Sequence, residues 1–420
     1  MAGAAALFHR HRRDRADWLL DMSFALLAVA VGLQLLPLPG ALLRRVSPET
    51  DATLRSIAVG YAGSTRHPLS IDPGGTLLGL AALAALALAF LGLSRALTRD
   101  DSLRIARGVA ILGIVLAVAG IIQKALWNGK IYGFWTPFGA GSSFGPFVNR
   151  NHFAGWMLMT IPLTVGYLCG RIARGARYAK PGVRNRLLWL SSADASETIL
   201  IAFAVLLMAL SVALTMSRSG MVGLLAVLIA FGWVVLRRQA TRSRRALNLG
   251  YLVVVILVAV AWTGVDTIAA RFADRQSPGS AGRREVWADS WRLARKFPAA
   301  GTGLNTFGSA MVVHQTVDRT EHLNAAHNDY LQVLAEGGAL VSVPAAFAVI
   351  VVAATIRRRF RSVPVESTDY WIRVGAVTGI LAIAVQEAAD FSLQMPGNAV
   401  MFVVLLAIAA RHSASERRTA

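Results

Sequence analysis

Residues 198–236 read TILIAFAVLLMALSVALTMSRSGMVGLLAVLIAFGWVVL. Two apolar runs, Thr198 to Thr215 and Gly220 to Leu236, flank the short polar turn Met216-Ser217-Arg218-Ser219. As helices rising ~1.5 Å per residue, each covers most of the ~30 Å of bilayer hydrocarbon. A turn this short forces the second helix to run back antiparallel to the first. Arg237 and Arg238 then close the pair with positive charge. The stretch is a transmembrane hairpin whose turn carries an arginine.

Runs of the same kind recur on both sides: Trp18 to Leu38, Thr76 to Leu93, Ile105 to Ile122, His152 to Cys169, Leu249 to Val265, Ala339 to Ile356, Ile372 to Ala388 and Asn398 to Ala410. With the hairpin they make about ten spans. The chain is 55% hydrophobic with a mean hydropathy of +0.52, too apolar for a water-soluble domain. We expect an all-α integral membrane protein forming one polytopic domain over residues 1–420, with no internal repeat.

With the N-terminus inside, Arg10, Arg12, Arg13 and Arg15 are cytoplasmic and each even-numbered span returns to another basic loop. The outer segments are longer and carry Lys and Arg more thinly, which is the positive-inside pattern. Both termini are then cytoplasmic. The net charge of +20 reads as topology anchoring against anionic membrane lipid, in runs such as Arg237, Arg238, Arg242, Arg244, Arg245 and Arg357, Arg358, Arg359, Arg361, and not as a nucleic-acid footprint. The first run has a basic leader like a signal peptide, but it is long, carries Asp21 and is followed by no small-residue cleavage site. It is expected to stay as a signal anchor. Cys169 is the single cysteine, so no internal disulfide braces the outer loops.

Three outer segments stand out by length: Pro37 to Gly75, Gln123 to Asn151, and 266–338 between the seventh and eighth spans. The last is expected to be a large, partly helical loop. Val286, Ser290, Leu293 and Phe297 fall on one helical stripe with Trp287 and Trp291 beside it, an amphipathic helix that lies on the membrane or caps the bundle and stops at Pro298. Gly301 and Gly303 then turn the chain. A second helix is predicted from Asn328 to Glu336, capped by Asn324 or Asn328 and stopped by Gly337-Gly338. His327 thereby sits at a helix N-terminus, where free N–H groups and the dipole favour an anion such as a phosphate.

Ionisable groups inside the spans are few: Asp21, Arg373 and Glu387, with Asp390 near the outer end of the ninth. A proton-coupled transporter usually carries more at the midplane, with Gly- or Pro-broken helices in matching halves. A transporter of polysaccharide or lipid-linked sugar is therefore the second reading. Polar side chains with catalytic potential gather on the outer face instead: Asn149, Arg150, Asn151, His152, Arg218, Arg283, Arg284, His314, His322, His327 and Asn328. Arg218 is costly to bury in its turn unless it meets an anion, although a lone loop arginine is also what a snorkelling anchor looks like. The run Asn149 to His152 equally suits capping at the mouth of a span. The spacings of His314, His322 and His327 match no familiar zinc pattern. A single histidine, with an ordinary pKa of ~6.5, suits a general base better. The outer carboxylates Asp266, Asp274, Glu285, Asp289, Asp318, Glu321, Asp329 and Glu336 are scattered along the sequence, so no magnesium site is expected.

Taken in order, Asn149-Arg150-Asn151-His152-Phe153-Ala154, Ser217-Arg218-Ser219-Gly220, Arg283 with Trp287, Gly301-Thr302-Gly303-Leu304-Asn305-Thr306-Phe307 and Ala326-His327-Asn328-Asp329-Tyr330-Leu331-Gln332 resemble the O-antigen ligase and polymerase superfamily of bacterial membrane glycosyltransferases. The similarity covers roughly the last two thirds of the chain. It departs from the family's Gly-x-x-Gly stop, where Gly338 fills the first position and Val341 the second, and from the more usual complement of about twelve spans. The resemblance implies a GT-C-like bundle in the bacterial inner membrane. It also implies transfer of a glycan from an undecaprenyl-diphosphate carrier to an acceptor hydroxyl at the periplasmic face; because two arginines can do what a metal would do for the leaving diphosphate, no metal or cofactor is expected. The acceptor, whether lipid A core of lipopolysaccharide, a growing glycan or a protein hydroxyl as in protein O-oligosaccharyltransferases, stays open. By this resemblance His327, Arg218 and Arg283 would be catalytic. Asn149, Arg150, Asn151, His152, Arg284, Asn328 and Tyr330 would contact substrate.

Overall fold

A computed structural model describes residues 14–61, 65–136, 143–178, 191–238, 281–316, 322–365 and 367–412. Its helices are α1 (Arg15–Gln34), α2 (Gly40–Val46), α3 (Pro48–Ile57), α4 (Pro73–Ala96), α5 (Arg99–Ala125), α6 (Arg150–Tyr178), α7 (Ala193–Leu214), α8 (Arg218–Arg238), α9 (Ala281–Lys296), α10 (Phe307–His314), α11 (Asp329–Arg361), α12 (Thr368–Glu387) and α13 (Pro396–Ala410). Eight of these, α1, α4 to α8, α11 and α12, are long and apolar enough to cross a membrane, and α13 is apolar but shorter. The expected span at Leu249 to Val265 and the start of the 266–338 loop lie outside the described residues. Strand structure among the described residues is one two-residue antiparallel pair, Leu38–Pro39 with Arg66–His67. The chain is an all-α integral membrane protein.

Helix ends are set locally. Asp14 and Thr98 form reciprocal capping boxes with Asp17 and Asp101, which satisfies N–H groups that the first turn leaves orphaned. The core is built on α6, which is buried on nearly all sides and lies against α12. Glycines make that approach possible. A Cβ on Gly166 would sit 2.3 Å from the Trp371 carbonyl oxygen, and one on Gly375 would sit 2.4 Å from that of Pro162. Between helices in lipid, where apolar burial gives little drive, such close small-residue contact supplies the packing.

Cross-contacts sort the helix ends onto two faces. On one, Asp17 at the start of α1 meets Arg359 near the end of α11, and Asp369 at the start of α12 meets Arg411 beyond α13. The opposite face holds the starts of α6, α8 and α11 and the short helices α2, α3, α9 and α10. There a second hydrophobic cluster, with Leu43, Leu54, Leu293, Phe297, Phe307 and Met311, forms a cap separate from the main core. The expected amphipathic stripe is the buried one: Val286, Ser290 and Leu293 on α9, and Phe297 just after it, are all buried, while Trp291 is exposed. It caps the bundle.

The predicted stop at Gly337-Gly338 is a kink and not an end. Gly338 takes φ 51 and ψ −159, after which the helix resumes as a span. Only glycine fits here, because a Cβ would lie 2.5 Å from the Gly301 nitrogen and positive φ is strained for other residues. Val341, where the family shows glycine, packs against Leu27, Ala30 and Val31 of α1.

Candidate active site

Asn328 caps α11 as expected, its side-chain oxygen accepting from the Leu331 N–H at 3.0 Å. The cap fixes the residue before it. His327 has φ 51, a left-handed conformation that costs a non-glycine residue about 1 kcal/mol or more and is held only where the surroundings over-determine it. Three contacts do so. Trp287 on α9 donates to the His327 carbonyl at 3.2 Å, the Asn328 amide donates to the Ala388 carbonyl at 2.9 Å, and the His327 ring stands edge-to-face on Phe391, 4.7 Å between centroids. The His327 Nδ1 atom is buried with no hydrogen-bond partner. Burial, with the Arg283 guanidinium nearby, pushes its pKa down to about 4. At neutral pH the imidazole is uncharged and able to accept a proton.

Phe391 carries a second imidazole. His152, buried in the first turn of α6, stands on it at the same 4.7 Å, so one ring orients two histidines. The residue before it, Asp390, is fully buried and gathers the rest. Arg283 of α9 approaches one carboxylate oxygen at 3.5 Å, the Ser219 hydroxyl donates to the same oxygen at 3.2 Å, and His152 Nε2 lies 3.8 Å from the other, which also accepts from the Phe391 N–H at 3.0 Å. Burial pushes the Asp390 carboxyl up and Arg283 opposes that shift. One carboxylate thus ties the starts of α6 and α8, α9 and the α12–α13 connection to a single point.

The sequence candidates divide around this point. Arg283, His152 and His327 converge on Asp390 and Phe391. Arg218 opens α8 next to Ser219, half-buried, in a turn that Met216 makes at φ 55. Asn149 caps the approach to α6 through the Asn151 N–H at 2.9 Å, and the Asn151 carbonyl accepts from Gln386 at 2.9 Å. Arg150 is half-buried at the same mouth. Three candidates are less available than the sequence suggests. Arg284 is exposed on α9, one helical step away from Arg283, both amide ends of Asn328 are engaged by the fold, and the Tyr330 hydroxyl donates to the Ala384 carbonyl at 2.7 Å, leaving its ring exposed. His314 is held by Thr53 at 3.0 Å and Lys296 at 3.4 Å in the outer cap, and His322 is exposed.

Two features escape the sequence reading. The outer carboxylates are not all scattered: Asp329 and Glu387 lie against one another beside Asp390, and Gln394 donates to Asp329 at 2.7 Å. Folding across α11, α12 and the following turn gathers them, and no linear spacing reveals it. The Gly301 to Phe307 motif is likewise fastened by distant buried groups. Glu336 accepts from the N–H groups of Asn305 and Phe307 at 2.8 and 3.0 Å. Gln34 donates to the carbonyls of Ala300 and Glu336 and accepts from the Leu304 N–H. A buried carboxylate and amide at the ends of two spans were the available signal. Among the described residues, the trio with ligand atoms close enough to share a metal ion is Asp14, Asp17 and His412, at the other face, where Asp17 is already paired with Arg359.

Residues 203–345 match the family model described as O-antigen ligase. The match covers the α8 turn with Arg218, the α9 helix with Arg283, and His327. It supports the O-antigen ligase and polymerase superfamily for this chain, and with it a membrane glycosyltransferase of that general type. No curated protein matches the chain.

Proposed function

We propose that this protein transfers a glycan from an undecaprenyl-diphosphate carrier to an acceptor hydroxyl at the periplasmic face of a bacterial inner membrane. One observation carries the reading: the buried Asp390 holds the Arg283 guanidinium, and His327 stands on the adjoining Phe391 ring, on the face that holds α9 and the start of α11. The arginine-rich opposite face is then cytoplasmic, in keeping with the positive-inside pattern.

His327 takes the proton from the acceptor hydroxyl, whose oxygen attacks the anomeric carbon opposite the carrier. The new carbon–oxygen bond forms as the bond to the diphosphate oxygen breaks, the electron pair leaves on the diphosphate, and the anomeric configuration inverts. Arg283 and Arg218 hold the diphosphate and stabilise the charge it gains. Asp390 orients Arg283 and His152. Asn149, Arg150 and Asn151 at the start of α6 complete the substrate-contacting set, Arg284 and the ring of Tyr330 contribute from exposed positions, and Asn328 acts through its cap on α11.

No divalent metal is required, because two arginines supply the charge a metal would bring to the leaving group. The test is a purified reaction with an undecaprenyl-diphosphate glycan and three acceptor classes, lipid A core, glycan and protein, read by product mass with and without excess EDTA. A product with one acceptor class, unchanged by EDTA, is expected. Movement of the intact lipid-linked glycan between leaflets with no transfer product would favour transport instead. Loss of product in EDTA would overturn the metal-free reading.

A further inference from the structure

Between α8, α11 and α12, away from the Asp390 centre, lies a laterally open cleft of about 730 Å³. Ile229 and Trp233 form one wall, Ala353 and Phe360 the second, and Val374 and Leu381 the floor. Along α12 the lining runs from Tyr370 to Leu381, a rise of about 16 Å, close to the depth of one leaflet's hydrocarbon. A hydrocarbon-facing cleft of this size fills with an acyl chain in a bilayer. The walls alone select nothing, since lipid tails are as apolar as the side chains they touch.

The mouth of the cleft is selective. The basic run near the end of α11 is partitioned by the fold: Arg358 and Arg359 pair with Asp14 and Asp17 of α1, whereas Arg357 and Arg361, four residues apart on one helix face, line the cleft and are exposed. Neither makes an ion pair with a carboxylate among the described residues. Arg237 adds a third cation, stacked 3.9 Å over the Trp233 ring that walls the cleft. Apolar depth for one tail beneath a fork of arginines at headgroup level is the complement of an anionic phospholipid.

We propose that this cleft is a binding site for an anionic phospholipid, one acyl chain seated between α8, α11 and α12 and its phosphate held by Arg357 and Arg361. On the orientation proposed above the lipid comes from the cytoplasmic leaflet. Binding itself is independent of that orientation and of the transferase reading.

The test is native mass spectrometry of the purified full chain released from mixed micelles containing phosphatidylglycerol and phosphatidylethanolamine of identical acyl chains, with no donor or acceptor present. Wild type should retain phosphatidylglycerol over phosphatidylethanolamine by roughly ten-fold. The double variant Arg357→Ala/Arg361→Ala should bring the two to near parity. Ala230→Phe, which narrows the cleft from α8, should lower retention of both lipids. Arg45→Ala, an exposed arginine on the other face, should change nothing and guards against a bulk charge effect. Equal retention of both lipids by wild type, a preference that survives the double variant, or displacement of phosphatidylglycerol by equimolar undecaprenyl diphosphate would each overturn the proposal.

Discussion

The two membrane faces of this protein use charge in opposite ways. At the face where α1 starts and α13 ends, arginines are matched acid for base: Arg359 with Asp17, Arg411 and Arg373 with Asp369, Arg95 with Asp17 and Asp21. At the other face the buried Asp390 holds one arginine, with His152 3.8 Å away and His327 kept uncharged beside them. A closed network has its charge spent on structure. On the function proposed above, the open one is where the anionic carrier binds.

The sharpest way to break this comparison is His327→Ala. If the open face is the reacting one, the variant should lose product formation by roughly a hundred-fold or more, the scale of a missing general base, while insertion and expression persist because the residue lies at a loop. His322→Ala, exposed nearby, should stay close to wild type. Activity above a few per cent in His327→Ala would move the base to His152.

The closed face should respond in stability. Arg359 is fully buried and joins Asp17, the Ala410 carbonyl and His412, so Arg359→Ala leaves Asp17 without its main cation. Breaking one partner of a buried ion pair costs about 3–5 kcal/mol. A clear drop in the thermal midpoint in detergent is expected, with activity per folded molecule little changed. A variant as stable as wild type would mean that the network is not structural.

Between these two lies Arg218→Lys. Lysine keeps the charge but loses the planar fork, so if Arg218 grips the diphosphate in two-point fashion, activity should fall by roughly ten-fold, with weaker donor binding. Full activity in the lysine variant would demote Arg218 to an anchor of the α7–α8 turn.

How far the sequence displays these two faces depends on the range of the forces involved. The spans are legible because twenty apolar residues in a row have one physical solution in lipid. The Asn328 cap and the buried stripe of α9 are legible because capping and amphipathicity act within a few residues. Arg373 looked anomalous inside a span until Asp369, one turn earlier, and the carbonyl of Ala409 came into view. Asp390 is the harder case. Ser219 reaches it from 171 residues away, and nothing in the local sequence marks which acid at a helix mouth will become the meeting point of four elements. Gly337-Gly338 predicts a helix end, because glycines past a periodic run stop most helices. Here α11 continues because Gly301 packs against the break.

The smallest effect, and the most specific to the open face, is in pH dependence. An ordinary histidine base would make kcat/KM fall as pH drops through about 6.5. In the free protein burial and Arg283 hold His327 near 4, so its uncharged, proton-accepting form persists across that range and the acid limb of kcat/KM should appear about two units lower. Bound donor changes the balance. A diphosphate beside Arg283 cancels the cation's repulsion and adds negative charge, both of which favour imidazolium. The acid limb of kcat, which reports the bound complex, should therefore lie above that of kcat/KM. Parallel pH–rate profiles at saturating and limiting donor check this ordering. Coincident limbs, or a kcat/KM limb at the ordinary histidine value, would mean that His327 is either not the titrating base or not within reach of the diphosphate.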